Sequence, residues 1–154
     1  RIVTGGENKT AKVWNAANGH ELVTLKGHTN TISAVGFSPD GLRIVTGSVD
    51  EMAKVWDATD GPGRDETAKV WGATDGRELL TLKGKNDWIS SVAFSPNGQQ
   101  IITVGMNHAV LWSAASGRRL RTLPKSYGGY SYYRYICNQT RIKKEEIWGL
   151  ISLV

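Results

Sequence analysis

Residues 44–56 read IVTGSVDEMAKVW and residues 2–14 read IVTGGENKTAKVW, so one sequence motif, here called the repeated phrase, occurs in two similar copies 42 residues apart. A second phrase, VGFSPDG at 35–41, returns as VAFSPNG at 92–98. A chain with such internal similarity is built from stacked copies of one structural unit, and the unit has to be identified before anything else.

Each copy can be interpreted from its residue pattern. The pattern IxxVxFS alternates apolar and polar residues, as a half-buried strand does. The SPDG and SPNG that follow are turn sequences, because proline presets φ and Asp-Gly or Asn-Gly accepts left-handed geometry. A second strand (LRIVTG), a tight turn, a third strand ending in Trp and a short fourth strand (ELVTL) come next. Four antiparallel strands in every ~40–45 residues predict the blade of a β-propeller.

One copy is incomplete. The phrase KVW-x-ATDG occurs at 54–61 and again at 69–76, only 15 residues later, so most of one 42-residue repeat is absent near 57–71. Neighbouring strands of a blade alternate in direction, and the missing strands leave room for a single upward strand. We therefore predict that 77–82 forms the outer strand of the second blade and that 57–76 loops out.

The repeats predict two regions of different character. Residues 1–123 form a partial repeat domain, and 124–154 form a non-repeat tail. The predicted blades cover 2–25, 32–82 and 88–123.

Several of these residues resemble the WD-repeat β-propeller family. They are the GH dipeptide ending at His28, the phrase FSPDG, the turn residue Asp50 and the WD dipeptide beginning at Trp56. The resemblance covers residues 1–123. The regular sequence pattern GxELxTLKGH is similar to the repeats of bacterial WD-repeat arrays.

The resemblance implies a structural network. In the family, a His, a Ser/Thr, an Asp and a Trp of one repeat form a buried hydrogen-bond chain, which corresponds here to His28, Thr46, Asp50 and Trp56. A buried carboxylate needs donors, and such a chain supplies them. The set is complete only in the second repeat, so we expect the second blade to be the most tightly locked.

We predict an all-β fold: an incomplete β-propeller of about three blades of antiparallel strands, forming an open arc with an irregular C-terminal tail. Two blades and three quarters cannot close a ring, because propellers have about 4–8 blades. The apolar faces of both end blades should then be exposed and should invite association. Since Arg1 already lies in a strand-like pattern, we expect a piece of a longer chain, partnered by further propeller blades or by self-association.

The charge distribution bears on nucleic-acid binding. Residues 1–124 hold 14 Lys/Arg against 12 Asp/Glu, and 125–154 hold 5 against 2. The repeat region therefore lacks the single-sign surface that nucleic-acid binding usually requires. All five tyrosines lie between Tyr127 and Tyr135 in the tail, where aromatic and basic side chains could stack on single-stranded RNA. The other interpretations of the tail are a flexible segment, an out-of-frame extension, or a short helix or strand formed by IKKEEIWGLISLV at 142–154 against an end blade.

Composition also indicates a compartment. Cys137 is the only cysteine, which excludes an intrachain disulfide and favours the reducing cytoplasm. No apolar run approaches the roughly 18–20 residues that cross a bilayer, so no membrane segment is expected.

The sequence does not predict an enzyme. Catalysis needs a nucleophile or an acid–base pair in a pocket, and the pair His28 and Asp50 is better explained by the structural network. No Cys/His spacing suits a metal, and no glycine motif precedes a helix as phosphate binding requires. We therefore predict no catalytic residues, no metal and no cofactor.

The leading functional hypothesis is a non-catalytic protein–protein interaction scaffold, in which the blade-top loops hold a protein or peptide partner. The alternatives are a degenerate repeat fragment without independent activity and a single-stranded nucleic-acid contact through the tail. The candidate contacts precede each first strand or lie in each turn between second and third strands: Thr29, Asn30, Val49, Glu51, Asn86, Asp87, Trp88, Met106 and His108. Trp88 is the principal candidate, because it takes the place of Thr31, where no blade interior requires an indole. The alternative interpretation is that the Trp88 side chain folds over the neighbouring blade and covers its top, as part of the packing.

Overall fold

The structure is a computed structural model that describes residues 1–58, 78–83 and 88–124. These residues form eleven β-strands in three antiparallel sheets, with no helix among them. The predicted all-β fold of about three antiparallel blades is confirmed, and the three described sheets do not close into a barrel. Of the predicted looped-out segment 57–76, Asp57 ends strand β6, and residues 59–76 lie outside the described residues, as does the tail beyond Pro124.

The strands follow the chain from sheet to sheet. The first sheet has three strands, β1 (Ile2–Gly5), β2 (Thr10–Trp14) and β3 (Glu21–Lys26). The second has four, β4 (Ile32–Phe37), β5 (Arg43–Ser48), β6 (Met52–Asp57) and β7 (Glu78–Lys83). The third also has four, β8 (Ile89–Phe94), β9 (Gln100–Gly105), β10 (His108–Ser113) and β11 (Arg119–Pro124).

The second sheet takes its outer strand from beyond residues 59–77. Strand β7 pairs antiparallel with β6, so that Ala53 lies opposite Leu82. The first sheet has the same arrangement, with Ala11 of β2 opposite Leu25 of β3. The limits of the blades and the proposed deletion near 57–71 remain predictions.

The hydrophobic core lies between the sheets. Because successive side chains of a strand point to opposite faces, Ile44 packs towards the first sheet and Val45 towards the third. The core between the first and second sheets includes Ala11, Val13, Leu25, Ile32, Ile44, Trp56 and Ala58. The core between the second and third includes Val45, Ala53, Val55, Leu82, Ile89, Val92, Phe94, Ile101, Val110, Trp112 and Ala114.

Two glycines allow neighbouring sheets to approach closely. A Cβ added at Gly5 would lie 2.5 Å from Cγ2 of Ile32, which belongs to the next sheet. A Cβ added at Gly47 would likewise lie 2.5 Å from Cγ2 of Ile89. Both positions follow the threonine of the repeated phrase, so each contact is one joint of the repeat array.

An arginine also contributes to each joint between neighbouring sheets. In the joint between the first and second sheets this residue is Arg1. Its guanidinium donates hydrogen bonds to the carbonyl of Gly41, at 2.7 Å, and to the carbonyl of Ala58. It also lies 5.6 Å from the ring centroid of Phe37, within the range of a cation–π contact. All three partners belong to the second sheet or to its turns.

Arg43 forms the same bridge from the second sheet to the third. Its Nη2 donates to the carbonyl of Gly98 at 2.9 Å, and its Nη1 donates to the carbonyl of Ala114 at 3.2 Å. The guanidinium lies 5.0 Å from the ring centroid of Phe94. Each joint therefore combines a glycine, an arginine and an apolar core.

The two end sheets differ in exposure. Ile2, on the outer face of the first sheet, is 51% exposed, whereas the equivalent Ile44 is fully buried under that sheet. On the outer face of the third sheet, by contrast, Ile102, Leu111 and Leu123 are all buried. The expectation of two exposed end faces is therefore wrong for the third sheet.

Candidate interaction surface and its supporting network

The four residues of the predicted network are in hydrogen-bond contact. His28 Nδ1 lies 2.9 Å from Oδ2 of Asp50, and His28 Nε2 lies 2.7 Å from Oγ1 of Thr46. The indole Nε1–H of Trp56 donates to the same Thr46 oxygen at 2.9 Å. His28, Thr46 and Trp56 are buried, and the imidazole meets the indole edge-on at a centroid distance of 6.3 Å.

The network is satisfied when His28 is neutral. Nδ1–H then donates to the carboxylate, Nε2 accepts from the Thr46 hydroxyl, and Thr46 accepts from the indole. Burial lowers the pKa of His28 below its ordinary value, although the hydrogen bond to Asp50 acts in the opposite direction. Each polar side-chain hydrogen of His28, Thr46 and Trp56 in this network thus has an acceptor.

Asp50 fixes two adjacent loops to each other. Its Oδ2 also accepts from the backbone N–H of Thr29 at 2.8 Å, and its Oδ1 accepts from that of Met52 at 3.1 Å. Burial alone would raise the pKa of this carboxyl, but the hydrogen bonds from Thr29 and His28 hold it below its ordinary value. The loop before β4 and the turn between β5 and β6 are therefore held as one unit.

The other sheets keep only part of this arrangement. In the third sheet Trp112 Nε1 donates to Thr103 Oγ1 at 3.0 Å, and both residues are buried. In the first sheet Trp14 donates to Thr4 at 2.9 Å, but Thr4 is exposed and Asn8 takes the place of the aspartate. Asn8 accepts from the backbone N–H of Thr10 at 3.2 Å.

The candidate contact residues divide by exposure. Thr29, Asn30 and Glu51 are exposed, and Val49 is half-buried, with its N–H donating to the Thr31 carbonyl at 3.0 Å. Glu51 has a φ of 69°, the left-handed conformation that closes this turn. Asn86 and Asp87 lie outside the described residues.

The third sheet places two large apolar side chains at one end. Trp88 and Met106 are each 57% exposed. Because Ile89 pairs with Gly105, the two residues next to that pair both lie at this end of β8 and β9. His108, predicted to lie in the turn, is instead the half-buried first residue of β10. In the third sheet only two residues, Met106 and Asn107, lie between β9 and β10. In the second sheet three residues lie between β5 and β6, so its turn is one residue longer.

Sequence reasoning did not find the joints between sheets. Gly47 has the signature of any glycine near a turn, and Arg43 that of a surface arginine, because their partners are distant in the chain. The signal was nevertheless available, since Arg1 and Gly5 precede Arg43 and Gly47 by the same 42 residues.

The described part of the chain has no cluster of three or more His, Cys, Asp and Glu side chains that could hold a metal ion. A depression of about 600 Å³ lies at the end opposite to Trp88 and is lined by residues such as Arg43, Gly98, Gln100 and Arg118. Within the described ranges, no helix has the length and apolar character needed to cross a membrane.

The family model of the WD domain, G-beta repeat, matches residues 19–57 and 76–112. The chain is 30% identical over 122 residues to the small ribosomal subunit protein RACK1 of Caenorhabditis elegans, an alignment that covers 79% of this chain and 33% of that protein. It is 32% identical over 114 residues to the human WD repeat and SOCS box-containing protein 1, covering 73% of this chain and 24% of that one.

A third relative is the nuclear distribution protein nudF of Aspergillus niger, 27% identical over 135 residues, covering 84% of this chain and 30% of nudF. The chain therefore spans only between about a quarter and a third of the length of these relatives. Two matched repeats, WD-repeat relatives and three antiparallel sheets together place the chain in the WD-repeat family.

Proposed function

We propose that the chain is a non-catalytic scaffold that holds a protein or peptide partner at the end of the third sheet where Trp88 and Met106 lie. Proteins with WD repeats are generally interaction scaffolds, which supports the class of function. The exposure of these two side chains carries the location. The single cysteine supports placing the scaffold in the reducing cytoplasm.

The chemistry of the two residues suits an anchor. An indole and a thioether supply a large apolar contact area, and binding energy concentrates on such side chains when a partner excludes water from them. The exposed polar residues Thr29 and Asn30, at the corresponding loop of the second sheet, would form part of a polar rim.

The buried network supports this surface from below. Because Asp50 accepts from Thr29 and Met52, the loop and the turn of the second sheet are already ordered before a partner arrives. An ordered surface loses less conformational entropy on binding, so the same contacts give a higher affinity.

The proposal can be tested with peptides selected for binding to the intact chain from a displayed library. Trp88→Ala should weaken binding of the selected peptides about 30-fold, the equivalent of about 2 kcal/mol. The matched control is Leu42→Ala, because Leu42 is 49% exposed but lies in the turn between β4 and β5. Titration calorimetry measures both affinities.

A melting curve accompanies each variant. Binding lost in Trp88→Ala with the melting curve unchanged supports a contact surface. If Trp88→Ala instead lowers the melting curve, the indole belongs to the packing. Equal binding by Trp88→Ala and the parent chain would remove the proposed anchor.

A further inference from the structure

The third sheet differs from the other two in charge. Residues 88–124 contain three arginines and no Asp or Glu, whereas residues 1–58 contain six Lys/Arg and six Asp/Glu. The nearly balanced charge of the whole repeat domain therefore conceals a local excess of positive charge in its third sheet.

Three acidic positions of the second sheet have uncharged or basic counterparts at the same end of the third. The correspondence follows from the repeated SPDG turn, from the position directly after the sheet's tryptophan, and from the residue paired with that tryptophan. In this order the replacements are Asp40 by Asn97, Asp57 by Ser113 and Glu78 by Arg119. The first two each remove one negative charge and the third exchanges a negative for a positive charge, so this end of the third sheet is more positive by four unit charges.

The turn residue shows what such a replacement changes. Oδ1 of Asp40 accepts from the Ser38 hydroxyl and from the backbone N–H two residues further on. Oδ1 of Asn97 accepts from the Ser95 hydroxyl at 2.7 Å and likewise from the backbone N–H two residues further on, at 3.1 Å. The remaining atom is a charged oxygen in Asp40 and an N–H₂ donor in Asn97. A position that repels an anion in the second sheet thus offers it a hydrogen bond in the third.

The depression of about 600 Å³ brings these groups together. Asn97, Ser113 and Arg118 line it, and Arg43 of the second sheet forms part of its wall. None of the described residues that line it is acidic. A concave site lined by charges of one sign concentrates the electrostatic field, so it attracts an anion more strongly than an open surface does.

We propose that this depression binds an acidic segment of a peptide or protein partner, with Arg118 and Arg119 as the residues that hold its carboxylates. Both side chains are exposed, and within the described ranges neither guanidinium is engaged in an ion pair. A guanidinium can bind a carboxylate through two parallel hydrogen bonds, which fixes its orientation as well as its position. The site is separate from the surface of Trp88, which lies at the opposite end of the sheet.

The surroundings of the two arginines favour a peptide over a nucleic acid. Leu120 also lines the depression and is 40% exposed, so an apolar side chain of a peptide can pack against it. Strand β11 is the outer edge of its sheet, and an extended peptide can lie alongside such an edge. The phosphate backbone of a nucleic acid would instead require a longer row of cations.

The test uses the intact chain and a fluorescein-labelled hexaglutamate peptide, whose binding is measured by fluorescence polarisation at low ionic strength. Asn97→Asp, Ser113→Asp and Arg119→Glu are combined in one variant, which gives the third sheet the residues that the second sheet already carries. This variant should bind about tenfold more weakly than the parent chain. Added salt should weaken binding by the parent chain, because it screens exposed charges.

The matched control combines Lys9→Glu with Lys26→Glu, both at exposed positions of the first sheet. It lowers the net charge by the same four units, so its affinity should stay close to that of the parent chain unless net charge alone attracts the peptide. A melting curve of each variant shows whether the fold is retained. If the triple variant does not fold, Arg118→Gln combined with Arg119→Gln replaces it, because both side chains are exposed, and should weaken binding to a similar extent.

Three results would overturn the proposal. The first is a parent chain that does not bind hexaglutamate at low ionic strength. The second is an equal loss of affinity in the control and in the variants of the third sheet. The third is tighter binding of a ten-nucleotide oligothymidylate that the same substitutions weaken, since the site would then be one for nucleic acid.

Discussion

The first and second sheets share a sequence phrase and a hydrogen bond, yet they bury the shared side chains to different extents. Trp14 and Trp56 each donate to a threonine at 2.9 Å. Trp56 is 1% exposed because the first sheet lies over it, whereas Trp14 has no described sheet on that side and is half-exposed. Identical residues therefore contribute differently to stability, according to what packs against them.

The largest expected difference concerns the indoles. Trp56→Ala should lower the free energy of unfolding by about 3–5 kcal/mol, because it leaves a cavity between two sheets. Trp14→Ala should cost clearly less, since water already reaches that side chain. Urea melts of both variants measure the difference, and equal losses would show that the outer face of the first sheet is covered in solution.

The second comparison concerns two equivalent turn residues, Asp50 of the second sheet and Asn8 of the first. Asp50→Ala removes the acceptor of the Thr29 and Met52 amides and of His28, and leaving such donors without an acceptor costs about 1–3 kcal/mol. Asn8→Ala removes an acceptor at an exposed position, where water can replace it. Its cost should stay within about 0.5 kcal/mol. Similar losses in thermal melts of the two variants would contradict the structural role of Asp50.

The pH dependence sharpens the contrast, because the second sheet links Thr46 to Asp50 through the titratable His28. The folded state lowers the pKa of His28, so the unfolded chain binds the proton more readily. Stability is then complete above the ordinary value of 6.5 and falls as the pH drops below it. Asp50, whose pKa is also lowered, adds a further loss below its ordinary value of 3.8.

The measurement is the melting temperature between pH 8 and pH 5 for the parent chain and for His28→Gln. The parent should lose stability over this range, and the variant should lose less because the titrating group is gone. The same slope in both proteins would refute this assignment.

The smallest effect concerns a repeated ion pair. In the first sheet Lys12 Nζ lies 2.5 Å from Oε2 of Glu21. In the second sheet Lys54 Nζ lies 2.7 Å from Oε2 of Glu78. The Lys54 side chain is only 9% exposed, against 35% for Lys12. Glu78→Gln should therefore cost about 1 kcal/mol, while Glu21→Gln should leave the melt unchanged. High salt should reduce the difference, and a larger loss for Glu21→Gln would contradict the burial argument.

The sequence predicted local features better than contacts between sheets. Alternating residues and SPDG turns indicate strands by themselves, and the resemblance to WD repeats implied the set of His28, Thr46, Asp50 and Trp56. The bridges of Arg1 and Arg43 could not be predicted in this way, because each depends on a carbonyl that another sheet positions. The burial of Leu111 and Leu123 was not predicted for the same reason, since burial of a sheet face depends on whatever packs over it.

The joint made by Gly47 and Arg43 also bears on how such a gene can grow. The second repeat carries both halves of a joint: Ile32 and Phe37 receive the preceding sheet, and Gly47 and Arg43 receive the following one. A tandem duplication of this repeat would therefore lengthen the protein from within and require no new side chains. The third repeat has Gln100 and Val104 where the second has Arg43 and Gly47, so a copy appended after it would have to dock without this joint.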